Sequence, residues 1–222
     1  MAGMVKDTLK KIFFLQEGDP LNMFTWKPEL GTNFILVNRE SGEITEFHHE
    51  LPTFSFHGIN AFEKDDDGSI CVDLMCYDEP GYAKLTLDNL RHPEKLNEFE
   101  VLKNPQVKRF TLDFVSHQVH EKVIYDGSCE LCTINYDRFN TKSDYKFVYG
   151  VTSAKGVKSS SNMLLKLNME NGEGVIFGEG EHLSFGEPIF VGNPECTETS
   201  TINCTGSTGF LDLFQGLKSL PP

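Results

Sequence analysis

The residues best placed to do chemistry in this chain form a short block around one histidine, His57. The apolar stretch Phe54-Ser55-Phe56 precedes it and predicts a strand that delivers its imidazole, while Gly58, Asn60 and Glu63 follow. Neutral imidazole is the commonest protein ligand for transition metals, so His57 is a candidate metal ligand. The alternative is a core histidine whose ring is satisfied by a backbone carbonyl.

Two glutamates are candidates for orienting such a ligand. Glu130 lies in Cys129-Glu130-Leu131-Cys132, and Glu187 lies in Gly186-Glu187-Pro188-Ile189-Phe190. In these apolar or Gly/Pro contexts a carboxylate is either a turn residue or the acceptor that orients a metal-bound imidazole. Composition alone favours the turn, and both interpretations stay open at this level.

The other histidines offer no obvious second ligand; they are His48, His49, His92, His117, His120 and His182. Adjacent residues of a strand point to opposite faces, so only one of His48 and His49 could face a given site. Their polar context predicts a solvated surface. His117 and His120 lie in a polar connection, and their spacing suits chelation only on a helix. No residue is predicted to be catalytic.

The elements that must position these residues are short strands separated by polar turns. A hairpin is predicted over residues 34–47, and Asn171-Gly172 marks another between strands at 163–168 and 174–177. Further strands are predicted from apolar runs or period-two alternation at 69–76, 108–114 and 145–150. Helix signals are sparse, with one or two turns at most between Thr86 and Leu102. The pattern predicts an all-β sandwich, barrel or propeller.

Composition narrows the class of protein further. Of 222 residues, 39% are hydrophobic and 11% aromatic, which supports a sizeable core. The formal net charge of -13 argues against nucleic acid and against an anionic membrane surface.

No apolar run is long enough for a transmembrane segment. Neither a secretory signal nor a transit peptide is evident, so we expect a cytoplasmic protein, with mitochondrial localisation as the alternative. The six cysteines are therefore expected to be reduced thiols. The Cys129/Cys132 pair has no second CxxC to complete a zinc site.

Three blocks in order carry a family resemblance. The first is Phe56–Glu63 with Cys71–Cys76, the second is Glu130–Phe139 with Tyr145–Gly150, and the third is Gly186–Val191. Together they resemble the carotenoid cleavage oxygenases, most of all the animal branch of carotene oxygenases and the visual-cycle retinoid isomerohydrolase. The resemblance covers about residues 20–195. We therefore predict a domain over 1–195 and a divergent, loosely ordered tail over 196–222.

The resemblance implies a seven-bladed β-propeller around non-haem iron(II), held by four histidines whose rings are oriented by glutamates. This chain would form a partial propeller of about four blades or parts of blades. His57 matches the third iron ligand, and Glu130 and Glu187 match orienting glutamates. We expect a Glu130 oxygen to contact a His57 ring nitrogen. The first two ligand histidines would precede Met1, and the fourth would follow the matched part.

The resemblance also implies a function. The family joins O₂ to polyenes, so the expected partners are O₂ and a carotenoid or apocarotenoid, with access at a membrane surface and a role in retinoid metabolism. Cleavage of a double bond and isomerisation both stay open. With one ligand of four, the isolated chain is expected to be inactive. The alternatives are a non-catalytic truncated paralogue that binds an apolar ligand or partner chain, and an unrelated intracellular all-β binding domain.

Overall fold

The computed structural model describes residues 25–80, 105–153, 163–178 and 185–191. Within these ranges nearly all regular structure is β-strand, apart from a 3-10 turn, Pro28–Leu30, and a four-residue helix α1, Tyr136–Phe139. The prediction of an all-β chain is confirmed. In the described part of the chain, no helix has the length and apolar character needed to cross a membrane. The predicted tail and the helical turns between 86 and 102 lie outside the described residues.

The strands form one hairpin and two four-stranded antiparallel sheets, in which consecutive strands are neighbours. The hairpin pairs β1, Thr32–Val37, with β2, Ile44–His49. The first four-stranded sheet comprises β3 Gly58–Glu63, β4 Ile70–Cys76, β5 Gln106–Asp113 and β6 Gln118–Tyr125. The second comprises β7 Glu130–Thr133, β8 Phe147–Thr152, β9 Met163–Asn168 and β10 Gly174–Phe177. Four-stranded antiparallel sheets are the units from which propeller blades are built.

Two tight turns of the same design close the hairpins β1–β2 and β9–β10. In each, an asparagine N–H donates to a carbonyl five residues later, and a glycine N–H donates back to the asparagine carbonyl. The pairs are Asn38 with Gly42 and Asn168 with Gly172. Both glycines have φ near +74°, at +73° and +75°, where a side chain would be strained. Local sequence therefore fixes the register of both hairpins.

A shared hydrophobic core joins the two four-stranded sheets. Its buried side chains come from both sheets and from the connection between β7 and β8; they include Ile59, Phe62, Met75, Val107, Ile134, Tyr145, Val148, Leu165 and Leu167. The first strands of the two sheets, β3 and β7, contact each other, and β2 contacts β6. Residues at the ends of β3 and β7 are thereby brought together.

Buried polar side chains add directional ties across this core. The Asn60 amide donates to the Phe139 carbonyl at 3.1 Å, which links β3 to the end of α1. Asp73 is fully buried on β4, where it accepts two 2.8 Å hydrogen bonds from Arg109 and one from the Tyr145 hydroxyl. Because hydrogen bonds are directional, these contacts fix the relative orientation of the two sheets. The Asn60 of the His57 block therefore has a structural role.

Two details of the sequence prediction are wrong. Phe54-Ser55-Phe56 is not a regular strand; Phe54 forms only an isolated bridge with Tyr77, and His57 lies directly before β3. These aromatic residues pack against one another instead of pairing with a neighbouring strand. The connection predicted around His117 and His120 is a turn at His117 followed by strand β6. Its polar residues reflect the partial exposure of β6.

Candidate metal-binding site

His57 and Glu130 meet where two neighbouring sheets begin. His57 precedes β3, and Glu130 is the first residue of β7. The His57 Nδ1 lies 2.8 Å from the Glu130 Oε2. The contact that we expected between these residues is thus confirmed, while the role of His57 as a metal ligand stays a prediction.

Both side chains are positioned by irregularities in their strands. Between Gly58 and Asn60, and again between Glu130 and Thr133, one strand has an extra residue relative to its partner. Such bulges bend a strand and re-aim its side chains. In β7, Leu131 has a φ of +51°, in the left-handed region that a branched residue rarely adopts. Its N–H turns back and donates to the Glu130 Oε2 at 3.0 Å.

The Glu130 carboxylate is held at both oxygens. Its Oε2 faces His57 and the Leu131 N–H, and its Oε1 accepts a 2.7 Å hydrogen bond from the Tyr77 hydroxyl. Burial raises the pKa of Tyr77, and the charge and hydrogen bond of Glu130 raise it further. The tyrosine therefore stays protonated near neutral pH and donates its hydrogen bond throughout. Two donors other than the imidazole thus fix the direction in which the carboxylate points.

The carboxylate determines which nitrogen of His57 is open. An ionised carboxylate only accepts hydrogen bonds, so the proton of a neutral His57 ring must lie on Nδ1. The lone pair is then on Nε2, which has no hydrogen-bond partner among the described residues. The side chain is 49% exposed, so this nitrogen is accessible. A histidine that binds a metal through one nitrogen and a carboxylate through the other has this arrangement.

Aromatic rings surround the histidine on one side. The Phe56 ring centroid lies 6.2 Å from that of His57, and Phe56 packs edge-on against Phe54 and Tyr77 at 4.7 and 5.6 Å. Trp26 extends the cluster by packing on Phe54. Phe56 is 39% exposed and offers apolar surface next to the open imidazole. The site thus combines one metal-binding nitrogen with an apolar wall.

Glu187 is not part of this hydrogen-bond network. It is exposed, and no hydrogen bond joins it to another of the described residues. Its charge acts on Tyr136, whose pKa is raised mainly by burial, then by Cys132 and by Glu187. The structure does not bring Glu187 into hydrogen-bonding contact with His57. Its assignment as a carboxylate that orients another histidine stays a prediction.

The donor set fits one ligand of a metal centre. Within the ranges that the structure describes, no group of three or more histidine, cysteine, aspartate or glutamate side chains could hold a metal ion. His57 has the open nitrogen and the orienting carboxylate that a ligand needs. Iron(II) accepts imidazole ligands, so the chemistry of this donor is compatible with iron.

A second histidine–glutamate pair was missed in the sequence. His49 Nε2 lies 3.0 Å from Glu121 Oε2, and Lys108 Nζ lies 2.9 Å from Glu121 Oε1. The prediction of a solvated surface suits His48, whose side chain is 50% exposed, but is wrong for His49, which is 12% exposed. The reason is that β2 packs beside β6, which covers one face of the hairpin.

Tyr77 was also missed. Its signal in the sequence is weak, because a tyrosine at the end of a strand is ordinary. Only the bridge that joins it to Phe54 shows that it lies beside the residues leading to His57. The function of its hydroxyl depends on Glu130, 53 residues later in the chain.

Comparisons with known proteins identify relatives of this chain. Residues 8–201 match the family model of the retinal pigment epithelial membrane protein, RPE65. The apocarotenoid-15,15'-oxygenase of Synechocystis sp. is 28% identical over 168 residues, which cover 75% of this chain and 32% of that protein. The carotenoid isomerooxygenase of Galleria mellonella is 24% identical over 177 residues, covering 78% and 34%. The chain thus spans about a third of the length of the curated relatives it matches.

Solved structures of carotenoid oxygenases share the fold of this chain. Cobalt-substituted Synechocystis apocarotenoid oxygenase superimposes with a TM-score of 0.63 at 26% identity, covering 78% of this chain and 34% of that one. A chimera of this oxygenase and RPE65 superimposes with a TM-score of 0.62 at 27% identity over the same shares. The predicted partial β-propeller is confirmed. The described residues account for two complete blades and the hairpin of a third.

Proposed function

This chain belongs to the family of the retinal pigment epithelial membrane protein, and from that premise we propose that it forms part of the iron centre of a carotenoid or apocarotenoid oxygenase. His57 binds iron(II) through Nε2, and Glu130 holds its ring. The observation that carries the proposal is the 2.8 Å contact between Glu130 and Nδ1 of a half-exposed imidazole. This contact leaves the Nε2 nitrogen of His57 open to a metal.

The chemistry that iron(II) supplies when bound is activation of O₂ for addition across a polyene double bond. The residues of this chain prepare one coordination position for it. By accepting a hydrogen bond from the Nδ1–H group, Glu130 increases the electron density at Nε2 and fixes the tautomer that can bind a metal. Tyr77 and the Leu131 N–H keep the carboxylate from turning away from the ring.

The aromatic side chains beside His57 have a separate task in this proposal. Phe56 presents its ring next to His57, with Phe54 packed behind it, where the reacting bond of a polyene would lie. Apolar walls of this kind take up a hydrophobic substrate and exclude water from the reaction. Isomerisation of the same polyene would use the same wall, so the proposal covers both outcomes.

We further propose that residues 1–222 alone bind iron weakly and do not turn over. One imidazole gives little of the affinity of a four-histidine site. The test is to express residues 1–222, add iron(II) anaerobically, and measure bound iron and apocarotenal release under O₂. Less than stoichiometric iron without turnover is expected. Stoichiometric iron with many turnovers would refute the view that this chain supplies only part of a centre.

The role of His57 itself is tested in a complete propeller. Residues 25–195 replace the matched segment of Synechocystis apocarotenoid oxygenase, and iron content and cleavage are measured in the folded chimera. Changing His57 to Ala is expected to reduce both at least a hundredfold. His49→Ala is the matched control and should retain both within about twofold. If the His57 variant keeps its iron, the proposed ligand is wrong.

A further inference from the structure

Cys129, directly before β7, and Cys132, within it, lie on either side of Glu130 and have no role in the proposed function. The Sγ atoms of Cys129 and Cys132 are 3.0 Å apart, and the two residues are 0% and 5% exposed. Neither thiol contributes to the iron site proposed above. A disulfide has sulfur atoms about 2 Å apart, so the pair needs to close by only about 1 Å.

The bulge of β7 is what brings the sulfur atoms together. In a regular strand, residues three apart point to opposite faces, so Cys129 and Cys132 would diverge. The extra residue in β7 and the positive φ of Leu131 turn both side chains to one side. The same backbone irregularity thus sets both the thiol pair and the direction of Glu130.

The neighbouring strand leaves room for this pair. A Cβ atom on Gly150 of β8 would lie 2.9 Å from Cys132 Sγ, 2.9 Å from the Glu130 carbonyl oxygen and 3.0 Å from Cys129 Sγ, so a side chain there would force neighbouring atoms to shift. Any other residue at position 150 would therefore displace the sulfur atoms or the Glu130 backbone between them. The site consists of two thiols on a bulge and a glycine opposite them.

We propose that Cys129 and Cys132 are an oxidation site that closes to a disulfide with a peroxide as the oxidant. One thiol, as its thiolate, attacks a peroxide oxygen; the O–O bond breaks, leaving a sulfenic acid and releasing water. The second thiol then attacks that sulfur and releases the second water. In total, two thiols and one hydrogen peroxide give one disulfide and two waters.

Closure of the disulfide reaches the His57 site through the residues between the cysteines. In this proposal the sulfur atoms approach by about 1 Å, and the backbone angles of Glu130 and Leu131 change with them. The carboxylate held by Tyr77 and facing His57 moves with them. Oxidation therefore loosens the contact that orients the candidate ligand.

The first experiment detects the bond. The chain carries Cys196→Ser and Cys204→Ser, so that those thiols cannot contribute, and is treated with hydrogen peroxide. Intact mass is expected to fall by two hydrogens, and peptide mapping should join Cys129 to Cys132. Either Cys129→Ser or Cys132→Ser should abolish the loss of two hydrogens. Cys129→Ala and Cys132→Ala should do the same. Cys71→Ser is the matched buried control and should keep it.

The rate of oxidation gives a second readout. Burial raises the pKa of Cys132, so little thiolate is present at neutral pH. Oxidation should accordingly be slow and should accelerate about tenfold from pH 7 to pH 8, because the thiolate is the nucleophile. Failure of the folded chain to lose two hydrogens, or bridges to other cysteines, would overturn the proposal.

The coupling to His57 is read by nitrogen-15 NMR of its ring, without iron and thus independently of the proposed function. The His57 signal is assigned by its loss in His57→Gln. It should shift when the disulfide forms and return when dithiothreitol reduces it, while the His49 signal stays unchanged. A disulfide that leaves the His57 signal in place would overturn the coupling.

Discussion

Two histidine–glutamate pairs join neighbouring sheets of this molecule, and only one of them resembles a metal site. His57 pairs with Glu130 across β3 and β7, and His49 pairs with Glu121 across β2 and β6. The distances are nearly equal, 2.8 and 3.0 Å. The nitrogen used is different, because Glu130 faces Nδ1 of His57 whereas Glu121 faces Nε2 of His49. The Nε2 nitrogen is thus open in His57, whereas in His49 it faces the Glu121 carboxylate.

The charges around the two glutamates differ as well. Glu121 is also paired with Lys108 at 2.9 Å, and all three side chains are 12–16% exposed. Glu130 is held instead by the Tyr77 hydroxyl and the Leu131 N–H, beside a ring that is 49% exposed. A covered pair with a compensating cation stabilises packing between sheets. A half-open pair with neutral donors keeps an imidazole available to a ligand.

The strongest test of this contrast removes each carboxylate's charge. In the oxygenase chimera, Glu130→Gln should weaken iron binding by roughly 10- to 100-fold, the usual effect of losing a carboxylate behind a ligand histidine. Glu121→Gln should leave iron affinity within about twofold. Iron titration followed by metal analysis measures both. Equal losses in the two variants would mean that the pairs do not differ in function.

Stability should show the opposite order. Glu121→Ala leaves Lys108 and His49 largely buried without their acceptor and should lower the free energy of unfolding by about 2 kcal/mol. Glu130→Ala leaves the Tyr77 hydroxyl without its acceptor, but that donor is neutral and the half-exposed His57 ring can be hydrated, so the loss should be smaller, about 1 kcal/mol. Urea unfolding of residues 1–222 gives both values. A larger loss for Glu130→Ala would reverse our assignment of the structural pair.

Removing one hydroxyl sharpens the contrast further. Tyr77→Phe keeps the ring but loses the hydrogen bond to Glu130, and should cost about 1 kcal/mol of stability. It should also shift the nitrogen-15 signals of the His57 ring, because the carboxylate gains freedom to turn. Tyr136→Phe is the matched control, since its hydroxyl donates to the Ile59 carbonyl at 3.3 Å. A shift of His57 in the control alone would contradict the positioning role of Tyr77.

The smallest expected effect concerns pH. Burial tends to raise the pKa of Glu121, but hydrogen bonds and charges from Lys108 and His49 outweigh it, so the pKa lies below its ordinary value of 4.5. A lowered pKa in the folded state stabilises the protein above the unfolded pKa, and this stability is lost as the pH falls through the folded pKa. Unfolding measured between pH 6 and pH 3 should show that Glu121→Gln loses less stability on acidification than the unchanged chain. Identical slopes would show that the pair contributes nothing to acid sensitivity.

Local signals predicted the hairpins. The Asn171-Gly172 turn and the alternating strands around it need only neighbouring residues, and β9 and β10 lie where the sequence predicts them. The contact between His57 and Glu130, 73 residues apart, was predicted only through a family resemblance. The contact between His49 and Glu121 spans 72 residues and was missed, because it depends on how two sheets pack. Bulges were missed for the same reason, since each is defined by the partner strand.

The pairing of consecutive strands within each four-stranded sheet has a consequence for the order of folding. Most strands of each sheet pair with the next strand along the chain. Such pairing closes only short loops, so it forms quickly. The Asn60 bond to Phe139 and the His57 contact with Glu130 span 79 and 73 residues, so they form only when two sheets dock. We therefore expect the contact between His57 and Glu130 to form late in folding, when the two sheets dock. A change such as Asn60→Ala should loosen this site before either sheet unfolds.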